Sequence, residues 1–423
     1  MSRPIGPYPS SRMPAADRIW LGLDSPRNVM VVTAVLELAD PIDEAALRTV
    51  LADRLLAGYP RFGQRVVPGR WPLRAPRWRD AEVDLDVHLQ RLSTDDGLPA
   101  VVQGLLSQPL DLARPPWQCH LVTARTGDAL VIRLHHCIAD GIALASVLLA
   151  LTDEAPHSPG QQPVDARTPR PPIITAARQG AGTAWSGLRL LTLPSEPALP
   201  LTGARDAGKR AAWTSGMPFP EVRAVAAATG SSVNDVLLAV TAGALRRYLA
   251  AAGQRPEDLR VYVPVNVRSA ASSRQLGNRL GLLFPRLPVA QADPLARVAA
   301  ISRRMTVLKA GSEAAATAGL IRLLGMLPNW AHALAGRVLG AKGTAVVTNV
   351  PGPRRPVHLA GAEVSRLTFW IPQIGSIGIG ISIFSYAGTV SIGVATDADL
   401  VPDPARLTAA MDAEFTELRL ATQ

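Results

Sequence analysis

Cysteine is nearly absent: the 423-residue chain has two. Two thiols can build neither a disulfide framework nor a Cys-rich metal site. There is no His-Glu-x-x-His and no Cys-x-x-Cys, and the histidines outside one pair are scattered (His88, His120, His157, His332, His358), so no metal site is expected. No Gly-x-Ser-x-Gly elbow, dinucleotide fingerprint or phosphate loop occurs, which argues against a serine hydrolase and against nucleotide chemistry. Aromatics make up 4% of the residues, and lysine occurs only at Lys209, Lys309 and Lys342. The excess of 44 basic over 34 acidic residues, a net charge of +10, is therefore one of arginine. It suits a phosphate-bearing substrate or an anionic surface. No basic run with interleaved aromatics, zinc-finger spacing or helix-turn-helix accompanies it, so no nucleic-acid partner is expected.

The opening segment, MSRPIGPYPSSRMPAADRIW, lacks the apolar core of a signal peptide, and a cytoplasmic protein is expected. The longest uncharged stretch, Leu367 to Thr396, is long enough to span a bilayer. Its isoleucines (Ile377, Ile379, Ile381, Ile383) nevertheless alternate with Gly378, Gly380, Ser382 and Phe384, a period of two that reads as adjacent buried strands.

Hydrophobic residues reach 48%, enough for a sizeable core, and 34 glycines and 37 prolines punctuate it. Strands are expected at 28–38, 117–124, 129–136, 260–267, 344–350, 364–371, 375–385 and 389–396. Helices are expected at 44–57, capped by Asp43, at 100–107, from 141 to 151, at 218–229, 233–252, 293–310, 313–339 and 403–420. A symmetric hairpin about Arg125–Asp128 would set Trp117 opposite His136 and Cys119 opposite Leu134. The Pro-rich stretch 153–172 and the apolar segment 173–193 divide the chain into a first lobe (1–152), a linker (153–210) and a second lobe (211–423), an α/β architecture.

The sharpest chemistry lies in His135-His136-Cys137-Ile138-Ala139-Asp140-Gly141, where a strand meets a helix. Histidine is suited to proton abstraction near neutral pH. Asp140 braces the turn or pairs with a cation, Arg268 being the candidate, and Gly141 allows an unusual backbone angle. Asn234, near a helix start, is a candidate oxyanion donor. Trp117 is a candidate pocket wall. Ser382 lies on a small-residue strand face that permits close approach of a ligand or of another backbone.

These motifs resemble the bacterial wax ester synthase/diacylglycerol acyltransferase family, within the superfamily of CoA-dependent acyltransferases that includes chloramphenicol acetyltransferase. The likeness runs from Met13–Met30 through Pro115-Pro116-Trp117, the HHxxxDG motif at 135–141, Asn234-Asp235, 263–268, Gly277-Asn278 and 348–353 to Ser385–Gly388. Pro116 stands where the family usually has Leu, and Asn266 where Ser is common. The resemblance implies a two-lobed chloramphenicol-acetyltransferase-like fold with a tunnel between lobes. It also implies an acyl-CoA co-substrate, no bound cofactor, and a fatty alcohol or diacylglycerol as acceptor. His136 would be the general base and His135 would shape the pocket; Asp140, Arg268 and Asp235 would be structural. The membrane or lipid inclusions would be touched peripherally, with 183–193 as the candidate contact. A same-superfamily enzyme acting on a secondary metabolite or a carrier-bound donor is the alternative, followed by a non-catalytic lipid-associated protein.

Overall fold

The computed structural model describes residues 10–69, 75–125, 127–155, 192–197, 199–203, 208–267 and 276–423. Arg268 and nearly all of the apolar segment 173–193 lie outside them.

Alternation of apolar residues produces two mixed sheets. The first runs, in spatial order, His358–Leu359, Ala362–Trp370, Val31–Leu38, Gly127–His135, Trp117–Ala124 and Leu89–Thr94. The second runs Leu280–Leu283, Leu259–Asn266, Ala345–Pro351, Ile379–Tyr386, Thr389–Asp397 and Lys209–Trp213, with two short strands beside it. The isoleucine alternation is realised as read. Ile379, Ile381 and Ile383 enter a core shared with the helices Val233–Ala251 and Pro404–Leu420, while Phe384 enters the first lobe's core. No single described helix is long and apolar enough to cross a membrane.

Local signals fixed many element ends. Asp43 accepts hydrogen bonds from the Ala45 and Ala46 N–H groups. Ser232 and Asp235 form a reciprocal capping box at the start of Val233–Ala251, which gives Asp235 its structural role. Four expectations are corrected. The 117–136 hairpin pairs Trp117 with Leu134 and Cys119 with Ile132, because pairing continues to Ala124↔Gly127 and leaves two residues to turn rather than four. The 313–339 stretch is two helices, Glu313–Leu324 and Asn329–Gly340, interrupted at Gly325 to Pro328. Gly141 has no left-handed backbone angle; it opens the helix Gly141–Leu151, and a Cβ there would rest 3.5 Å from Val350. Finally, Ala362–Trp370 pairs with Val31–Leu38. A strand from beyond residue 211 thus completes the first sheet, and the two lobes are not consecutive pieces of chain.

The lobes are stitched where the histidine turn meets residues 277–279. Gly277 N–H donates to Ile138 O (3.0 Å), the Asn278 side-chain amide to His136 O (2.8 Å) and Arg279 N–H to Asp140 Oδ2 (3.0 Å). Gly277 has φ +98°, a conformation that favours glycine. The other Asp140 oxygen accepts from Ala143 N–H at 3.0 Å and caps the helix Gly141–Leu151. The expected Arg268 partner lies outside the described residues; the Asp140 contacts seen are with backbone N–H groups on both sides of the seam.

Asp140→Ala removes the cap and strands the Arg279 N–H, an expected loss of about 2–3 kcal/mol. Asp140→Asn keeps a cap acceptor but brings an N–H toward Arg279, so its loss should be intermediate. Thermal or urea unfolding of the three proteins checks this; equal midpoints would show that the seam does not depend on this carboxylate.

Candidate active site

The strand Gly127–His135 delivers both histidines with a locked backbone. His135 N–H bonds Pro116 O (2.9 Å) and His136 N–H bonds Met30 O (2.8 Å); Ile138 N–H then closes back on His135 O (2.9 Å) and the chain turns into Asp140. Both side chains are buried.

His136 stacks face to face on Trp20, with centroids 3.9 Å apart and planes 14° from parallel. Trp20 comes from the helix Ala15–Leu23. Asp17, three residues earlier on the same helix face, accepts from both the backbone N–H (2.8 Å) and the side-chain amide (2.9 Å) of Asn278. The same amide holds the His136 carbonyl, so Asp17, Asn278 and His136 form one chain of contacts across the lobes. Burial pushes the His136 pKa down to about 4; His135 adds to that, while the residue's own carbonyl, Asp140 and Asn278 oppose it. The imidazole is therefore neutral at physiological pH. Burial pushes Asp17 up to about 6, against the two Asn278 bonds and Arg61, with Asp140 adding to the rise.

His135 is arranged differently. Cys137 N–H donates to its Nδ1 (3.1 Å), which places the ring proton on Nε2, 3.8 Å from Asp24 Oδ2. Asp24 Oδ1 accepts from Met30 N–H (2.8 Å) and so fixes the same loop that carries the His136 backbone partner. Asp24 also lines a cavity of about 650 Å³ with Leu21, Val66, Leu112 and Trp330 among its walls.

The remaining candidates are dispersed. Trp117 belongs to the first lobe's core: its indole N–H bonds Phe62 O (2.8 Å) and its ring stacks on His88 at 4.5 Å. With its register two residues from the expected one, it lies opposite Leu134 rather than His136. Asn234 lies in the second lobe, where its Oδ1 accepts from the Asn349 amide at 3.2 Å. Ser382 pairs across to Thr348 and Gly393, and its hydroxyl is buried without a partner among the described residues. Arg268 lies outside the described residues. The sequence reading overlooked Asp17, Trp20 and Asp24, although Asp17 and Trp20 are spaced i, i+3 in the segment Met13–Met30. It quoted Asn278 only as part of a motif, because nothing local shows that a residue 142 positions from His136 holds its carbonyl.

The geometry has counterparts among known proteins. The wax ester synthase/diacylglycerol acyltransferase catalytic domain matches residues 13–195, and the C-terminal domain of the same family matches 276–419. A Mycobacterium tuberculosis H37Rv protein named "Probable diacyglycerol O-acyltransferase tgs1" is 31% identical over 412 residues, covering 88% of this chain and 87% of that one. Among solved structures, the wax ester synthase/diacylglycerol acyltransferase from Marinobacter aquaeolei VT8 has a TM-score of 0.71 at 23% identity, covering 97% of this chain and all of the other. The first condensation domain of the calcium-dependent antibiotic synthetase gives 0.63 at 20%, covering 98% and 96%. These structures share the two-lobed fold. With both domains of the family matched in order, and with its HHxxxDG turn buried at the seam between the lobes, the chain belongs to the wax ester synthase/diacylglycerol acyltransferase family of acyltransferases.

Proposed function

We propose that this acyltransferase moves a fatty acyl group from acyl-CoA to the hydroxyl of a long-chain alcohol or diacylglycerol, with donor and acceptor bound together and His136 as general base. The observation that carries the reading is a buried imidazole, kept neutral by its surroundings and held between the lobes by contacts from both. His136 takes the acceptor's O–H proton as that oxygen attacks the thioester carbonyl. A C–O bond forms; the tetrahedral intermediate collapses with loss of the C–S bond, and the thiolate takes the proton back from the imidazolium. The enzyme ends as it began, and no acyl-enzyme is required.

Low basicity is the cost of a neutral buried base. Asp140 and Asn278, which favour the imidazolium, offset part of it as charge develops. Asn234 is the proposed oxyanion donor. With Oδ1 accepting from Asn349, its amide N–H groups are what Asn234 has left to offer an oxyanion. A tunnel between the lobes would keep water from the thioester while two apolar chains meet at the base. The arginine surplus suits CoA phosphates at its mouth and peripheral contact with membrane or lipid inclusions.

The test is free-thiol release from palmitoyl-CoA with hexadecanol, diacylglycerol, short alcohols and amines. Release with hexadecanol or diacylglycerol is expected, and activity confined to short alcohols or amines would overturn the assignment. His136→Ala should lose about 10²–10⁴-fold in rate while folding normally, and His135→Ala far less. Near-parental turnover of folded His136→Ala would remove the base from the mechanism.

The pH profile offers an independent check. The base works when unprotonated, so kcat/KM should stay level from neutrality downward and fall only as pH approaches about 4, the depressed His136 value. An acid limb centred at the ordinary histidine value of about 6.5 would mean that burial does not set the base's protonation.

A further inference from the structure

One surface of the molecule breaks the rule that large apolar side chains are covered. The helices Glu313–Leu324 and Asn329–Gly340 form a hairpin, tied by a contact of 3.0 Å between His332 Nε2 and Leu324 O. Around its tip Leu323, Met326, Leu327, Trp330 and Leu334 are all exposed, Met326 by 57% and Trp330 by 71%. Most of the other large apolar side chains in the described residues are buried or half-buried, so this concentration within twelve positions is not the scatter expected of a soluble surface.

The sequence flanking the tip is basic, although Asp24 of the first lobe shares a cavity wall with Trp330. No acidic residue occurs between Glu313 and Glu363, while Arg322, Arg337, Lys342, Arg354 and Arg355 do. Directly beneath Met326 lies a cavity of about 390 Å³ whose wall carries both Arg12 and Arg18. Among the described residues neither arginine pairs with a carboxylate, and there Arg18 Nε is buried without a hydrogen-bond partner. Burial and the neighbouring Arg12 both lower the Arg18 pKa, as expected of a cation waiting for an anion.

We propose that the hairpin tip is a docking face for an anionic phospholipid surface: the apolar side chains enter the headgroup boundary and a lipid phosphate sits between Arg12 and Arg18. Apolar insertion combined with basic attraction is what holds a protein on such a surface. Charge selects this occupant over a second copy of the chain, since two tips meeting face to face would bring like-charged arginines together. Docking here would also serve the site. Trp330 forms part of the wall of the cavity that reaches Asp24, so an acceptor leaving the lipid would enter beside the His135 partner. In assigning that purpose the inference rests on the acyl-transfer reading above; the docking itself does not.

The test is flotation of the full chain with phosphatidylcholine vesicles, with and without phosphatidylglycerol. The parental protein should float with the anionic vesicles. Leu323→Ser/Met326→Ser/Leu327→Ser and Arg12→Gln/Arg18→Gln, confirmed folded by thermal melting, should each lose roughly tenfold in vesicle affinity. Failure of the parental protein to float, or binding by either variant as tight as the parental protein's, would overturn the proposal. So would either of two further results. Conversion of a dimer to a monomer by the triple variant, read by light scattering, would make the tip a self-interface. A raised KM for acyl-CoA in Arg12→Gln/Arg18→Gln without lipid would make the arginines a donor-phosphate site. Flotation requires no turnover, so binding without acyl transfer would leave docking standing and remove only the acyltransfer reading.

Discussion

The two oxygens of Asp140 are claimed by opposite lobes. One accepts from the Ala143 N–H in the first turn of the helix that follows the histidine turn, and the other from the Arg279 N–H. Neither N–H has an equivalent acceptor if the carboxylate moves, so the turn and residues 277–279 can each be at rest only when the lobes are in register. Gly277 and Asn278 extend the same constraint by two more bonds, to Ile138 O and His136 O. His136 is consequently positioned by contacts that exist only in the assembled molecule.

That arrangement explains how an imidazole can be buried without being displaced. Burial alone would favour any motion that returned the imidazole to water. The Trp20 stack closes one face of the ring, and the Asn278 amide holds the carbonyl of the same residue. Asp17 in turn holds Asn278 by two bonds while its own helix carries Trp20. One helix therefore sets both the face of the ring and the backbone beneath it. The cost appears in Asp17, whose carboxyl is pushed up to about 6 by the same exclusion of water.

Whatever is local in this fold is legible in the sequence. Alternating isoleucines, capping residues at Asp43 and Ser232, and the strand-to-helix change at Asp140-Gly141 each act within a few residues, and each is realised. The chemistry-bearing motif is local too, as six of its seven residues form one turn and the start of one helix. The readings that failed depended on distance or on geometry below the resolution of composition. The hairpin register turned on how many residues the turn consumes, which Gly127 settles by entering the strand. The placement of Trp117 opposite His136 fell with that register. Asn278 carries no local sign of its partner, because Asp17 lies 261 positions away. For the second-lobe strand Ala362–Trp370, amphipathic patterning states that a face is buried but not against which sheet.

That exchanged strand bears on how substrates reach the base. Because Ala362–Trp370 is hydrogen-bonded along Val31–Leu38, swinging the lobes apart as rigid bodies would pull on a strand ladder rather than open a hinge. The same strand presses on the second sheet. A Cβ added at Gly393 would lie 2.6 Å from Phe369 O, a backbone atom that cannot yield, so the sheets meet closer there than side chains allow. The lobes are thus joined at that contact by covalent continuity and close backbone approach, and at Asp140 by hydrogen bonds. Fixed at both points, they resist being parted to admit a ligand. Under the proposed reading, long apolar chains would be threaded along the seam, and His136 would stay buried because no lobe has to swing away for the acceptor to arrive.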